Sequence, residues 1–202
     1  MVEELADRPG TVLIIGPSKA KAAGGGPRTP GRADWPGELL RARARQLARS
    51  GVDESAELPA WQRYRGHFYR NVGDALPDAA ASGRLLILSG GYGVVRAEEP
   101  ICRYDRKLHL RDWPPGVLEA ALLYEVRRLK ARRVLGFGSA SADYTALLRR
   151  VPWEVPATLV TIDFHQGGAQ AEVPKRLATA FAAVWRRDRA GLPPGVVTER
   201  LA

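Results

Sequence analysis

Residues 84–96 have the sequence RLLILSGGYGVVR, in which an apolar run of strand length ends at a serine and two glycines. A run that is almost wholly apolar is typical of a strand buried on both faces of a sheet. Because glycine permits positive φ and close approach of the backbone to a ligand, residues 89–93 are predicted to form a tight turn. Ligands of open α/β sheets bind at the carboxyl ends of strands. The sequence therefore predicts a buried strand followed by a ligand-binding turn.

Strands and helices alternate along the rest of the chain. Short apolar runs predict strands at residues 11–15, 84–89, 134–137 and 157–164. Helical spacing or alanine-rich composition predicts helices at 38–50, 74–81, 115–131 and 174–187, another helix through Tyr144, and a partly helical segment at 61–71. This alternation predicts a single α/β domain with a largely parallel or mixed sheet flanked by helices.

The expected domain spans residues 11–190. Residues 1–10 and 191–202 are expected to be terminal tails. Residues 22–37 are rich in glycine and proline, so they are expected to form a mobile loop.

Composition indicates an ordinary globular protein, with 45% hydrophobic and 26% charged residues among 202. The single cysteine, Cys102, excludes an internal disulfide and a cysteine-rich metal site. The histidines are isolated in sequence, so neither a metal nor a cofactor is expected. The chain has no apolar run long enough to cross a membrane, and its first residues are acidic, unlike a signal peptide. We therefore expect a cytoplasmic protein without a membrane partner.

The formal net charge of +9 indicates two possible roles for the arginine-rich segments. Arginines are concentrated in segments 41–49, 127–133 and 186–189. Such runs are usually solvated helix faces. Clustered positive charge also favours polyanions through counterion release. Nucleic acid bound without sequence preference and an anionic small molecule both stay open as partners.

Polar groups follow three of the predicted strands. Residues 18–21, 89–96 and 138–141 carry them, and these turns would share one edge of the sheet if the strands are parallel. Backbone amides and a lysine after the first strand favour phosphate binding. Ser139 is alternatively a helix N-cap, as is Ser141. The candidate ligand-binding residues are Ser18, Lys19, Tyr64, Tyr69, Ser89, Gly90, Tyr92, Gly93, Arg96, Tyr104 and Ser139.

Whether the chain is an enzyme stays open at this point. The candidate catalytic residues are Lys19, Lys21, Tyr92, Glu99, Tyr104 and Asp105. Three roles stay open for the two loop lysines. A desolvated lysine can act as a nucleophile, but lysines in loops are usually exposed to solvent. The interpretation that we prefer is that one of them pairs with a phosphate group. The carboxylates can act as a general base or can pair with nearby arginines. The spacing of a P-loop and the G-x-S-x-G pattern of a nucleophile elbow are both absent.

The segment after the second predicted strand resembles the signature of the YaaA family of peroxide-stress proteins, S-G-x-Y-G-[VL]-[VL]-R followed seven residues later by tyrosine. The positions that match are Ser89, Gly90, Tyr92, Gly93, Val94, Arg96 and Tyr104. Segments 13–19, 64–69 and 136–144 resemble further YaaA elements, in the same order. The resemblance implies an α/β fold, a link to hydrogen peroxide resistance, and DNA binding.

The chain departs from the family pattern at several positions, so it resembles a short, divergent member. Gly16 stands where the family has serine, and Arg103 and Asp105 flank the second tyrosine in place of proline and arginine. The family's C-terminal part has no counterpart after residue 165, and no helix-hairpin-helix signature is clear between residues 38 and 66. The S-x-x-K spacing of residues 18–21 resembles a motif in the lysine-transferring domain of archaeosine synthase.

Two function classes follow. The leading one is a YaaA-like protein associated with oxidative-stress protection, which binds nucleic acid or nucleotide-like anions through a strand-end pocket. The alternative is an enzyme acting on a nucleotide, nucleoside or nucleobase-type substrate in the same cleft.

Overall fold

The computed structural model describes residues 10–28, 34–165 and 167–202. The strands are β1 (Thr11–Ile15), β2 (Asp53–Pro59), β3 (Leu85–Ser89), β4 (Gly93–Arg96), β5 (Pro100–Arg103), β6 (Arg133–Phe137), β7 (Ala157–Ile162) and β8 (Val196–Arg200). The helices are α1 (Gly37–Leu47), α2 (Ala60–Arg63), α3 (His67–Asn71), α4 (Ala75–Ala81), α5 (Val117–Arg128), α6 (Asp143–Arg150) and α7 (Ala169–Arg186), with a 3-10 turn at Leu110–Asp112.

A mixed, mostly parallel sheet of six strands forms the centre of this α/β domain, in the order β4-β3-β1-β6-β7-β8. The inner strands β3, β1, β6 and β7 are parallel, and the edge strands β4 and β8 are antiparallel to their neighbours. From β1 the chain continues to β3 on one side and later to β6 on the other. The strand order therefore reverses beside β1, which creates a crevice at the carboxyl ends of β1 and β6. The predicted fold class is confirmed.

Hydrophobic cores cover both faces of the sheet. Leu13 and Ile15 belong to one cluster, with residues of α3, α4 and α7 packed on it. Val12 and Ile14 belong to the other, with α1, α5 and α6. Successive residues of a strand point to opposite faces, so a central strand covered on both sides must be apolar throughout. This is the physical reason for the continuous apolar runs of the inner strands.

A small second sheet lies beside the main one. Strands β2 and β5 pair antiparallel, with a register shift between Asp53 and Glu57. Within residues 38–66 the order is α1, β2 and the short helix α2. The strand between the two helices distinguishes this segment from a helix-hairpin-helix element.

The C-terminal segment corrects one sequence prediction. Residues 191–202 were expected to be a tail, but β8 pairs along the whole length of Thr158–Ile162. The tight turn predicted at residues 89–93 ends at Gly93, where strand β4 begins and returns antiparallel along β3. Residues 1–9 of the expected N-terminal tail and 29–33 of the expected mobile loop lie outside the described residues. Among the described helices, none has the length and apolar character needed to cross a membrane.

Candidate functional site

A two-lobed cleft, here called the strand-end cleft, lies at the crevice between β1 and β6. Its lysine lobe, of about 380 Å³, is bounded by residues 17–19, 21, 105–109 and 142–144. Its aromatic lobe, of about 370 Å³, lies between the end of β1, helix α3 and helix α7. Both lobes are lined by Pro17, Ser18, Lys19 and Tyr144, so they adjoin along these residues.

The lysine lobe combines several cations with two carboxylates. Lys19 and Lys107 are exposed, and neither makes an ion pair with a described residue. Asp105 is exposed at the wall of this lobe, and Asp143 Oδ2 lies 3.2 Å from the Nδ1 atom of His109. Unpaired ammonium groups beside a crevice are available to an anionic ligand group.

Lys21 has a different environment from the other lysines of this lobe. Its Nζ lies 4.2 Å from the centroid of the Tyr104 ring and donates a hydrogen bond to the carbonyl oxygen of Lys19. Burial lowers the pKa of Lys21, with Asp105 opposing that effect and Arg103 adding to it. A lysine with a depressed pKa is the kind that can act as a nucleophile.

Ser89, Gly90 and Tyr104 are packed against the residues of the lysine lobe. Ser89 is fully buried, and its hydroxyl is hydrogen-bonded to the Tyr104 hydroxyl at 2.8 Å, which is bonded to the Tyr64 hydroxyl at 2.8 Å. Burial raises the pKa of Tyr104, so the ring below Lys21 is a neutral phenol. Gly90 is glycine because the backbone of residues 106–108 crosses directly over it. The close approach that was predicted for a ligand is made by the protein's own chain.

Four candidates lie away from the cleft, which corrects the expectation of one shared site. Tyr92 accepts a hydrogen bond from the Cys102 amide, and Gly93, with φ +74°, packs against Trp113. Arg96 donates to buried Glu125 and is in register with Leu86, near the amino end of β3. The carboxylate of Glu99 pairs with Arg43. The reversal of direction at Gly93 carries β4 away from the edge where Lys19 lies.

The aromatic lobe contains the remaining candidates. Tyr69 donates a hydrogen bond to the carbonyl oxygen of Gly16 at 2.7 Å. Ser139 lines this lobe, and its backbone amide donates to the Tyr144 hydroxyl. The N-cap of α6 is Ala142, so neither Ser139 nor Ser141 has the capping role considered from the sequence. The apolar walls are Phe68, Phe137, Pro174 and Leu177.

Tyr144 was not among the sequence candidates, although it lies between the lobes. Its ring covers the backbone of two glycines, because a Cβ added at Gly16 would meet ring carbons at 2.6–2.9 Å and one at Gly138 would also collide with the ring. Lys107, His109 and Asp143 were missed as well. Lys107 and His109 follow closely after the candidate Tyr104, and this proximity was the one feature of the sequence that indicated them. It does not form a motif, so it could not predict that they share a site with Lys19.

Ion pairs with glutamates engage four arginines of α5 and α6. Arg127 and Arg128 bond to Glu154 and Glu125. Arg149 and Arg150 pair with Glu199 and Glu119. The faces of α5 and α6 are therefore less positive than the number of their arginines indicates.

No protein-family model matches this chain, and a comparison with curated proteins finds no match. Over residues 10–28, 34–165 and 167–202, no three His, Cys, Asp or Glu side chains are grouped as a metal site would require.

Proposed function

We propose that the protein is YaaA-like and binds a nucleotide-like anion, free or as part of a nucleic acid, in the strand-end cleft. The observation that carries this proposal is the position of Lys19 and Lys107 at the crevice where the strand order reverses. Ligands of open α/β sheets bind at that point of the sheet. Cations without carboxylate partners suit a phosphate or another anionic group there.

The association with oxidative-stress protection and the cytoplasmic location belong to the same proposal. Both rest on the sequence: the first on the resemblance of residues 89–104 to the YaaA signature, the second on composition. Nucleic-acid binding is the broader form of the proposal, in which the anionic group belongs to a polymer. The ion pairs on α5 and α6 favour contact at the cleft over diffuse attraction to those helices.

Catalysis on a nucleotide, nucleoside or nucleobase-type substrate is the second candidate function. Lys21 favours it, because its ammonium is partly desolvated against the Tyr104 ring and lines the lysine lobe. An amine with a lowered pKa is neutral more often at a given pH, and the neutral amine is the nucleophile. Asp105, at the wall of the same lobe, would serve as the base in such a reaction.

The binding proposal is tested by calorimetry at low salt with inorganic pyrophosphate, ADP and UDP. We expect at least one of them to bind, and Lys19→Gln to weaken that binding by roughly tenfold, because a charge-assisted contact contributes about 1.5–3 kcal/mol. Lys130→Gln is the matched control. Lys130 is also an exposed lysine but lines neither lobe.

Two outcomes would contradict the proposal. One is that none of the three compounds binds to the wild-type protein. The other is an equal loss from Lys19→Gln and Lys130→Gln, which would indicate attraction to net charge instead of a site.

A further inference from the structure

We infer that the ligand of the strand-end cleft is bipartite: an anionic group occupies the lysine lobe and an uncharged planar ring occupies the aromatic lobe. This inference rests on the proposed function and extends it to the chemical class of the ligand. A ligand of that class has a planar heteroaromatic ring joined to phosphate through a sugar, as in a nucleotide, whereas the ring of a phosphosugar is saturated and not planar.

The two lobes differ in chemistry although they adjoin. The lysine lobe contains Lys19, Lys21 and Lys107. The aromatic lobe has walls of Phe68, Phe137 and Leu177, and its polar groups are Ser18, Lys19, His67, Arg70, Ser139 and Gln170. Aromatic and aliphatic walls with a few polar groups are typical of sites that take an apolar or planar ligand part. Four phenyl or phenol rings line this lobe, those of Phe68, Tyr69, Phe137 and Tyr144, and of these Tyr144 also lines the lysine lobe.

The flat ring of Tyr144 fills the junction between the lobes. Gly16 and Gly138 lie at the ends of the paired strands β1 and β6, and the ring of Tyr144 packs against both. No side chain separates that ring from the strand ends, because both positions lack a Cβ. Tyr144 is half-buried and lines both lobes, so a ligand that spans them passes along its ring. Stacking on an aromatic side chain is how proteins bind bases without sequence preference.

Ser139 is a position in the aromatic lobe where the side chain can be enlarged while the backbone hydrogen bonds are kept. It is half-buried and lines the aromatic lobe but not the lysine lobe, and its backbone amide and carbonyl form hydrogen bonds with Tyr144 and Thr145. Ser139→Trp would place an indole in that lobe. Ser141→Trp is the matched control, because Ser141 is exposed in the same loop and lines neither lobe.

The experiment compares the affinities of pyrophosphate, ADP and UDP for the wild-type protein and both variants. We expect ADP or UDP to bind at least about fivefold more tightly than pyrophosphate, which is the low end of what a stacked base contributes. Ser139→Trp should remove this advantage and leave the pyrophosphate affinity unchanged. Ser141→Trp should change neither. Unchanged pyrophosphate binding also shows that the variant is folded, and Ser139→Leu provides a milder replacement if Ser139→Trp is not.

The outcomes separate this inference from the proposed function. If pyrophosphate, ADP and UDP bind equally and with dependence on Lys19, the bipartite ligand is wrong and the anion site stands. If Ser139→Trp leaves the nucleotide advantage intact, the aromatic lobe is not the ring site and the inference is wrong. If none of the compounds binds, both proposals are wrong.

Discussion

At the scale of single residues, Lys21 is distinguished by its contact with a phenol ring. Its ammonium lies 4.2 Å from the centroid of Tyr104, whose hydroxyl is hydrogen-bonded to Ser89 and Tyr64. Burial lowers the pKa of Lys21 below 10.5, its value in the unfolded chain. Between the lowered pKa and 10.5 the unfolded chain binds more protons than the folded protein. The destabilising effect of the buried Lys21 ammonium on the folded protein therefore decreases as pH rises through that window. This effect is largest at pH values below the lowered pKa.

We predict that Lys21 titrates below 10.5 in the folded protein. Arg103→Gln should raise this pKa, because Arg103 repels the ammonium, and Asp105→Asn should lower it, because Asp105 attracts the ammonium. NMR of ¹³C-methylated lysines over a pH series measures the pKa of Lys21 in the wild-type protein and in both variants. A Lys21 pKa at or above 10.5, or shifts opposite in sign in the two variants, would contradict the described environment and the enzyme candidate that depends on it.

At the scale of elements, the short helix α2 is connected to its surroundings by a buried arginine. Arg63 is fully buried and donates hydrogen bonds to the carbonyl oxygens of Ala22, Gly24, Ala56 and Ile101. These carbonyls belong to the loop after Lys21, to β2 and to β5. One guanidinium thus holds the second sheet against the loop that carries the lysines of the cleft.

We predict that Arg63→Met lowers the melting temperature by at least about 5 °C, because each buried carbonyl left without a donor costs roughly 1–3 kcal/mol. The same variant should weaken pyrophosphate binding, since the loop of Lys19 and Lys21 loses its anchor. Arg65→Met is the control, an exposed arginine two residues away. Calorimetric unfolding and binding measure both effects. Equal melting temperatures for the two variants would show that the anchor is unimportant.

At the scale of the whole molecule, the C-terminal strand completes the sheet. β8 pairs antiparallel with β7. Just beyond this ladder the amide of Asp163 donates a hydrogen bond to the carbonyl oxygen of Gly195, so these two residues form a hydrogen-bonded pair. Because such pairs alternate along an antiparallel ladder, Val197 belongs to a hydrogen-bonded pair and Arg200 to a non-hydrogen-bonded one. The amide of Val197 is therefore directed at β7, and that of Arg200 away from it.

We predict that Val197→Pro lowers the melting temperature more than Arg200→Pro does. Proline at residue 197 removes a ladder donor and leaves a carbonyl of β7 unpaired, at a cost of roughly 1–3 kcal/mol. That corresponds to about 2–4 °C for each kcal/mol in a domain of this size. Proline at residue 200 removes an amide that faces away from β7. Thermal unfolding followed by circular dichroism decides it, and a larger loss from Arg200→Pro would contradict the register.

The elements that the sequence predicted are those with strong local patterns. The inner strands β1, β3, β6 and β7 are apolar because both faces are covered, so their pattern was visible in the chain. β2 has the sequence DESAELP and β8 has VVTER, and neither shows such a run. Edge strands are half exposed and keep polar residues, and their pairing partners are distant in the chain.

The candidate site divides in the same way. The turn after β1 was recognisable from its serine and lysines, and these residues lie at the strand-end cleft. Arg96 was recognisable by the same kind of reasoning, but β4 reverses direction and carries it to the other end of β3. Tyr144 depends on the placement of α6 over Gly16 and Gly138, which no local pattern predicts.

The sequence by itself determined the fold class, the inner strands and the strand-end position of Lys19, because burial on both faces and strand ends leave local patterns of apolar and glycine residues. Only the tertiary structure decided that the Ser89–Tyr104 motif is packed inside and that Tyr144 and Lys107 line the cleft. The physical reason is that convergence of side chains depends on strand order and direction. Both are set by pairing between segments far apart in the chain, such as β1 with β6.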